Sequence, residues 1–219
     1  MNSSNIIIRL DSICKSYGEK PILRNLNLSV YSQEFLGITG VSGSGKSTLM
    51  NILLGIEGYD SGYYTIMNFP FHSIKNFSRY RVDVISMIFQ SSNLIKELTV
   101  RENILLPHIY FDKSKKIDDE QFDYVTDFLG IQSVLDQSCN TLSGGEQQRV
   151  AIARCVYYRP KIIIADEPTG NLDIENTKSV VRILKELQKN GTTIILITHD
   201  IQLLEFCSRV LTLSDGVLT

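Results

Sequence analysis

The 219-residue chain lacks paired cysteines, an excess of either charge and any long apolar run, and each lack removes a class of protein. Its four cysteines, Cys14, Cys139, Cys155 and Cys207, are scattered with no C-x-x-C pair, which suggests neither a disulfide framework nor a zinc site. Reduced thiols in a cytosolic protein are the expectation. A formal net charge of −2 gives no general attraction to nucleic acid or to anionic membranes. No apolar stretch approaches the roughly 18 residues that a membrane span needs, and the opening MNSSNIIIRLDS has no basic leader ahead of an apolar segment. The chain is expected to be cytoplasmic and to act on a membrane only through a partner. It also shows no internal repeat and no low-complexity tract.

What is present is a folding balance, with 43% hydrophobic and 21% charged residues. Short apolar runs at 6–10, 35–39, 84–89, 161–166, 192–198 and 209–214 read as strands, most of them continuous, as suits a sheet covered on both faces. Helical periods follow at KSTLMNILLG after residue 45 and at 175–191. Alternation of strand and helix predicts an α/β fold with a mainly parallel sheet. Residues 91–158 contain only helical patterns, LTVRENILLP, DDEQFDYVTDFLGI and EQQRVAIARCVYY. They predict a helical subdomain inserted between two parts of one α/β core, 1–90 and 159–219. The polar stretch 110–121 reads as a solvated loop and helix start.

Gly40-x-x-x-x-Gly45-Lys46-Ser47 has the spacing of a phosphate-binding loop and the right surroundings, a strand before and an apolar helix after. Gly40, Val41, Ser42, Gly43, Ser44, Gly45, Lys46, Ser47 and Thr48 would cradle phosphates, because the glycines let successive N–H groups turn inward at a helix N-terminus. Lys46 would reach the outer phosphates, and Ser47 would ligate Mg²⁺. IIIADEP delivers two acids at a strand end: Asp166 fits a Mg²⁺ ligand, and Glu167 fits the group that polarises an attacking water. Gln90 and His199 end two further strands and join this set, although either alone is an ordinary loop residue.

A second glycine turn, LSGGEQQR at 142–149, needs its own reason. Ser143 and Glu146 match a capping box, which asks for no glycine between its partners. Gly144 and Gly145 would instead bare the positive end of a helix for an anion pressed against it.

In sum, these residues resemble the nucleotide-binding subunits of ATP-binding cassette (ABC) transporters, over essentially the whole chain and in order. The likeness rests on Tyr17 in KSYG, the loop at 40–48, Gln90 in MIFQ, the signature at 142–146, the acids at 162–167, GNLD ending in Asp173, and His199. It implies a P-loop ATPase core with an N-terminal β subdomain and an inserted helical subdomain. Finer details such as DEPTGNLD are similar to a bacterial branch of lipoprotein-releasing, macrolide-exporting and antimicrobial-peptide-resistance ATPases. Glu146, where many relatives carry Gln, and RCVYY at 154–158 are the departures.

The resemblance further implies ATP and Mg²⁺ as cofactors, with Tyr17 stacking on adenine and Ser47, Gln90 and Asp166 around the metal. Lys46, Gln90, Glu167 and His199 would carry hydrolysis. Ser143, Gly144 and Gly145 would meet the ATP of a second copy in a twofold homodimer, and Asp173 would be a further nucleotide-binding residue. Separate transmembrane permease subunits would dock near Gln90 and residues 91–106 on the inner face of the membrane, while Leu94, Ile95 and Leu98 fit docking and core equally well. The competing class, DNA-clamping ATPases of chromosome maintenance and repair, also carries LSGGE but separates its two lobes by a long coiled coil, for which there is no heptad run here.

Overall fold

The computed structural model of the chain describes residues 6–111, 117–170 and 172–219; Asn171 and part of the polar stretch at 110–121 lie outside these. Two strands of 12 residues, β1 (Ile6–Tyr17) and β2 (Lys20–Tyr31), form an antiparallel hairpin around Gly18 and Glu19. Both are longer than the apolar run at 6–10 suggests. Ser12 and Asn25 adopt positive φ, and the pairing shifts register beside them, so polar residues interrupt the alternation without ending the strands.

The chain then enters β3 (Phe35–Thr39), a phosphate-type loop and α1 (Lys46–Leu53), and returns to the first sheet as β4 (Ser61–Ile66) and β5 (Phe69–Pro70). A short helix, α2 (Phe77–Asp83), leads into β6 (Ile85–Ile88). Next come α3 (Val100–Phe111), α4 (Asp119–Phe128) and α5 (Gly144–Val156). Between 91 and 158 no strand forms among the described residues, where one isolated bridge joins Thr99 to Ser138. β7 (Ile162–Asp166), α6 (Ile174–Lys189), β8 (Thr193–Ile197), α7 (Ile201–Leu204), β9 (Arg209–Ser214) and β10 (Val217–Leu218) complete the chain.

The first sheet has the order β2-β1-β4-β5, the second β10-β9-β3-β8-β7-β6. The second is parallel except for the β9–β10 hairpin at its edge. Its central strands feed two hydrophobic cores alternately. Ile163, Ala165, Ile194 and Leu196 pack with α3 to α6, while Ile162, Ile164, Ile195 and Ile197 pack with α1 and the antiparallel sheet. Successive side chains of a strand point to opposite faces, so one sheet separates the two cores. Both faces are covered, which is why the runs read as continuous rather than alternating.

Candidate active site

At the C-terminal end of β3 the chain turns through residues 40–45 into α1. Gly40 passes so close to β9 that a Cβ there would stand 2.3 Å from the Leu213 carbonyl oxygen, at φ 154°. Gly45, at φ 107°, is the residue before α1 and supplies no side-chain cap, so the first N–H groups of the helix remain for a ligand. Lys46 Nζ donates to the carbonyls of Gly40 at 2.7 Å and Val41 at 2.9 Å. Ser44 Oγ is buried without a partner, alone in this among side-chain atoms of the described residues. Uncapped N–H groups, an ammonium and an orphaned hydroxyl in one loop are what the phosphates of a nucleotide require, and the residues fit that group.

Asp166 closes β7. Burial raises its carboxyl above the usual range, the charge of Glu167 adds to the rise and that of Lys46 opposes it. The strand end therefore lies in the field of the loop lysine.

Glu167 has a positive φ of 43°, a conformation that non-glycine residues seldom take. Its carboxylate accepts from Thr198 Oγ at 2.8 Å and from the His199 N–H at 3.0 Å, and meets His199 Nδ1 at 2.5 Å. A carboxylate only accepts, so the Nδ1 proton lies on the histidine and Nε2 stays clear of this bond, at the exposed side of the ring. Glu167 is thereby tied to the end of β8. Gln90 lies over Gly170, where a Cβ would come 2.9 Å from its Nε2. Gln90, Glu167 and His199 line one groove of about 1340 Å³ beside α6 and α7. The residues of the phosphate loop do not line it.

Tyr17 is half-exposed, and two neighbours that sequence reasoning passed over define its setting. Its hydroxyl donates to Glu57 Oε2 at 2.5 Å, Lys15 Nζ sits 5.4 Å from the ring centroid, and Lys15 pairs with Glu57 at 3.2 Å. The hydrogen bond from Tyr17 and the Lys15 cation hold the Glu57 carboxyl below its usual range. The ring is thus braced at its edge.

The capping box of the second glycine turn forms: the Glu146 carboxylate accepts the Ser143 N–H at 2.9 Å and the serine hydroxyl at 2.6 Å, while Ser143 Oγ accepts the Glu146 N–H at 3.4 Å. The two glycines differ in what surrounds them. A Cβ on Gly144 meets nothing within 4 Å, whereas one on Gly145 would stand 2.2 Å from Asn176 Oδ1 of the same chain. Gly145 is buried by its own α6. Asp173 caps that helix, accepting the Asn176 N–H at 2.8 Å, which keeps its carboxyl below the usual range. No hydrogen bond joins Ser143, Gly144 or Asp173 to the phosphate loop among the described residues.

A parallel sheet with a lysine-bearing loop after β3 and paired acids after β7 defines a P-loop nucleoside triphosphatase. The chain belongs to the ABC transporter family, whose model matches residues 23–170, and it is an ATPase cassette of that family. It is 40% identical over 212 residues to the lipoprotein-releasing system ATP-binding protein LolD of Aquifex aeolicus, covering 96% of this chain and 95% of that one. It is 39% identical over 212 residues to the macrolide export ATP-binding/permease protein MacB of Campylobacter jejuni, covering 96% of this chain. It spans only 33% of that relative's length. The dimeric post-hydrolysis structure of the ATP-binding cassette MJ0796, bound to ADP and Pi, shares its fold with a TM-score of 0.85 at 35% identity, over 96% of both chains. These relatives give the DNA-clamping alternative no support.

Proposed function

We propose that this chain is the ATP-hydrolysing subunit of a bacterial export, lipoprotein-release or peptide-resistance system, working as a pair of copies that closes on two ATP molecules. The observation that carries this reading is the Glu167–His199 pair at the strand ends beside the Lys46 loop. Loop N–H groups, Lys46 and Ser44 hold the phosphates. Tyr17, braced by Glu57, offers its ring to the base. When bound at Ser47, Asp166 and Gln90, Mg²⁺ supplies charge neutralisation at the outer phosphates. Glu167, held in place by Thr198, orients or deprotonates the water, and His199 turns its exposed Nε2 side toward the γ-phosphate. Gly144, with open space before it, presents a helix N-terminus to the ATP of the second copy, with Ser143 and Asp173 alongside.

Permease subunits on the inner membrane face dock near Gln90, in a groove of about 340 Å³ lined by Ile56, Phe89, Leu106 and Pro107 with Arg81 and Arg154 among them. Exposure of Ile56 at 56% and Phe89 at 36% supports an apolar partner there. Leu94 packs against the core, and Ile95 is exposed. No described helix is long and apolar enough to cross a membrane, so on this reading the opening and closing of the pair must be passed on.

Glu167→Gln tests the reading. It should bind ATP with unchanged affinity, nearly stop turnover and accumulate as an ATP-bound dimer in gel filtration. Brisk hydrolysis by this variant would sink it.

A further inference from the structure

The first turns of α5 and α6 lie side by side, and one amide fills the seam. Asn176 packs its side chain into the space that a Gly145 side chain would take: Oδ1, Cγ and Nδ2 stand 2.2, 2.5 and 2.8 Å from a Cβ built there. Its Oδ1 accepts from Arg149 Nη1 at 3.2 Å, on the signature helix. Its Nδ2 donates to Asp173 Oδ2 at 2.9 Å, and its N–H to Asp173 Oδ1 at 2.8 Å. The amide thus has its acceptor end on a cation and its donor end on an anion, so both charges set the same orientation. A flip would place oxygen against the Asp173 carboxylate and NH₂ against the Arg149 guanidinium. Aspartate in its place would set two carboxylates together, and glutamine is one methylene too long for the space before Gly145.

We propose that Asn176 is a positioning residue that locks the signature turn to Asp173, so that the two surfaces meeting the second copy move as one piece. This rests on the paired-cassette reading above. Asn176 contacts neither the phosphate loop nor Glu167 in any hydrogen bond of the described residues. Its effect therefore falls on the closing of the pair rather than on nucleotide capture by one chain. Gly145 is glycine because the lock needs its space, while Gly144 remains for the partner's nucleotide.

A double-mutant cycle tests this on the purified chain, with kcat, ATP affinity and, in the Glu167→Gln background, ATP-driven dimer formation as readouts. Asn176→Ala should lower kcat and weaken the dimer by about tenfold, with the ATP affinity of the single chain unchanged. Gly145→Ala should cost about as much alone, because its Cβ displaces the amide. In the Asn176→Ala background, where all three obstructing atoms are gone, adding Gly145→Ala should cost no more than about twofold. Equal cost in both backgrounds would assign Gly145 to the second copy's nucleotide and overturn the lock. So would an Asn176→Ala variant with unchanged kcat and dimer formation, a result that does not depend on Gly145→Ala folding. A Glu167→Gln chain that stays monomeric with ATP would overturn instead the paired reading on which the proposal stands.

Discussion

Thr198 is the least conspicuous member of the site, and substituting valine for it separates holding Glu167 from packing a strand end. The residue is fully buried, its hydroxyl donates to Glu167 Oε2 at 2.8 Å, and its Oγ accepts the Asp200 N–H at 3.1 Å. Valine keeps the shape and removes both bonds. A hydrogen bond to a charged group contributes about 1.5–3 kcal/mol, and the Asp200 N–H left without its acceptor costs roughly 1 kcal/mol more. For a chain of this size that lowers the melting temperature by roughly 5–15 °C. Glu167 also loses one of three in-chain donors, and kcat should fall about tenfold while ATP affinity stays unchanged. Thr198→Ser keeps the hydroxyl and should restore most of both. Calorimetric melting and steady-state hydrolysis of the three proteins read the outcome. A Thr198→Val protein with the expected loss of stability and wild-type kcat would refute the claim that this hydroxyl orients the carboxylate.

Lys46→Ala should weaken ATP binding about a hundredfold, because two N–H donors now held by neutral carbonyls would otherwise transfer to charged phosphate oxygens, at about 1.5 kcal/mol each. Titration calorimetry measures this, and affinity within about threefold of wild type would count against the phosphate loop. Asp166→Asn should melt at a higher temperature than wild type at neutral pH without nucleotide, while losing turnover. A carboxyl whose folded pKa is raised penalises the fold above that pKa and not below it, so the advantage of the amide should vanish as the melts are taken down through the usual carboxylate range. An advantage that persists at low pH would contradict the burial of that charge.

The sequence made the centre of the molecule legible because its physics is local. Ile162 to Ile164 and Ile194 to Ile197 are apolar at every position, and a run with no polar face has to be covered on both sides. The capping box at Ser143 and Glu146 was readable for the same reason, since both partners lie within one helical turn. What could not be read depends on residues far apart in the chain. Glu57 is 40 positions from the tyrosine it braces, and Asn176 is 31 positions from the glycine it fills; nothing near either one marks the meeting. The long hairpin was shortened in the reading because bulges at Ser12 and Asn25 look like strand ends. α7 has only four residues and no period to detect.

The alternation of side chains through β7 and β8 has a mechanical consequence. Each strand serves as a party wall: the neighbours on one side are the phosphate loop's helix and the antiparallel sheet, and those on the other are the helices that carry the signature. Side chains on one side can be remodelled, to suit a new partner or to loosen a helix, without disturbing the rooms across the wall. A shift of one residue along either strand would exchange all the occupants at once, so the wall admits renovation on each face but no sliding. Such a chain can diversify what it is coupled to while the place where it breaks ATP stays as it is.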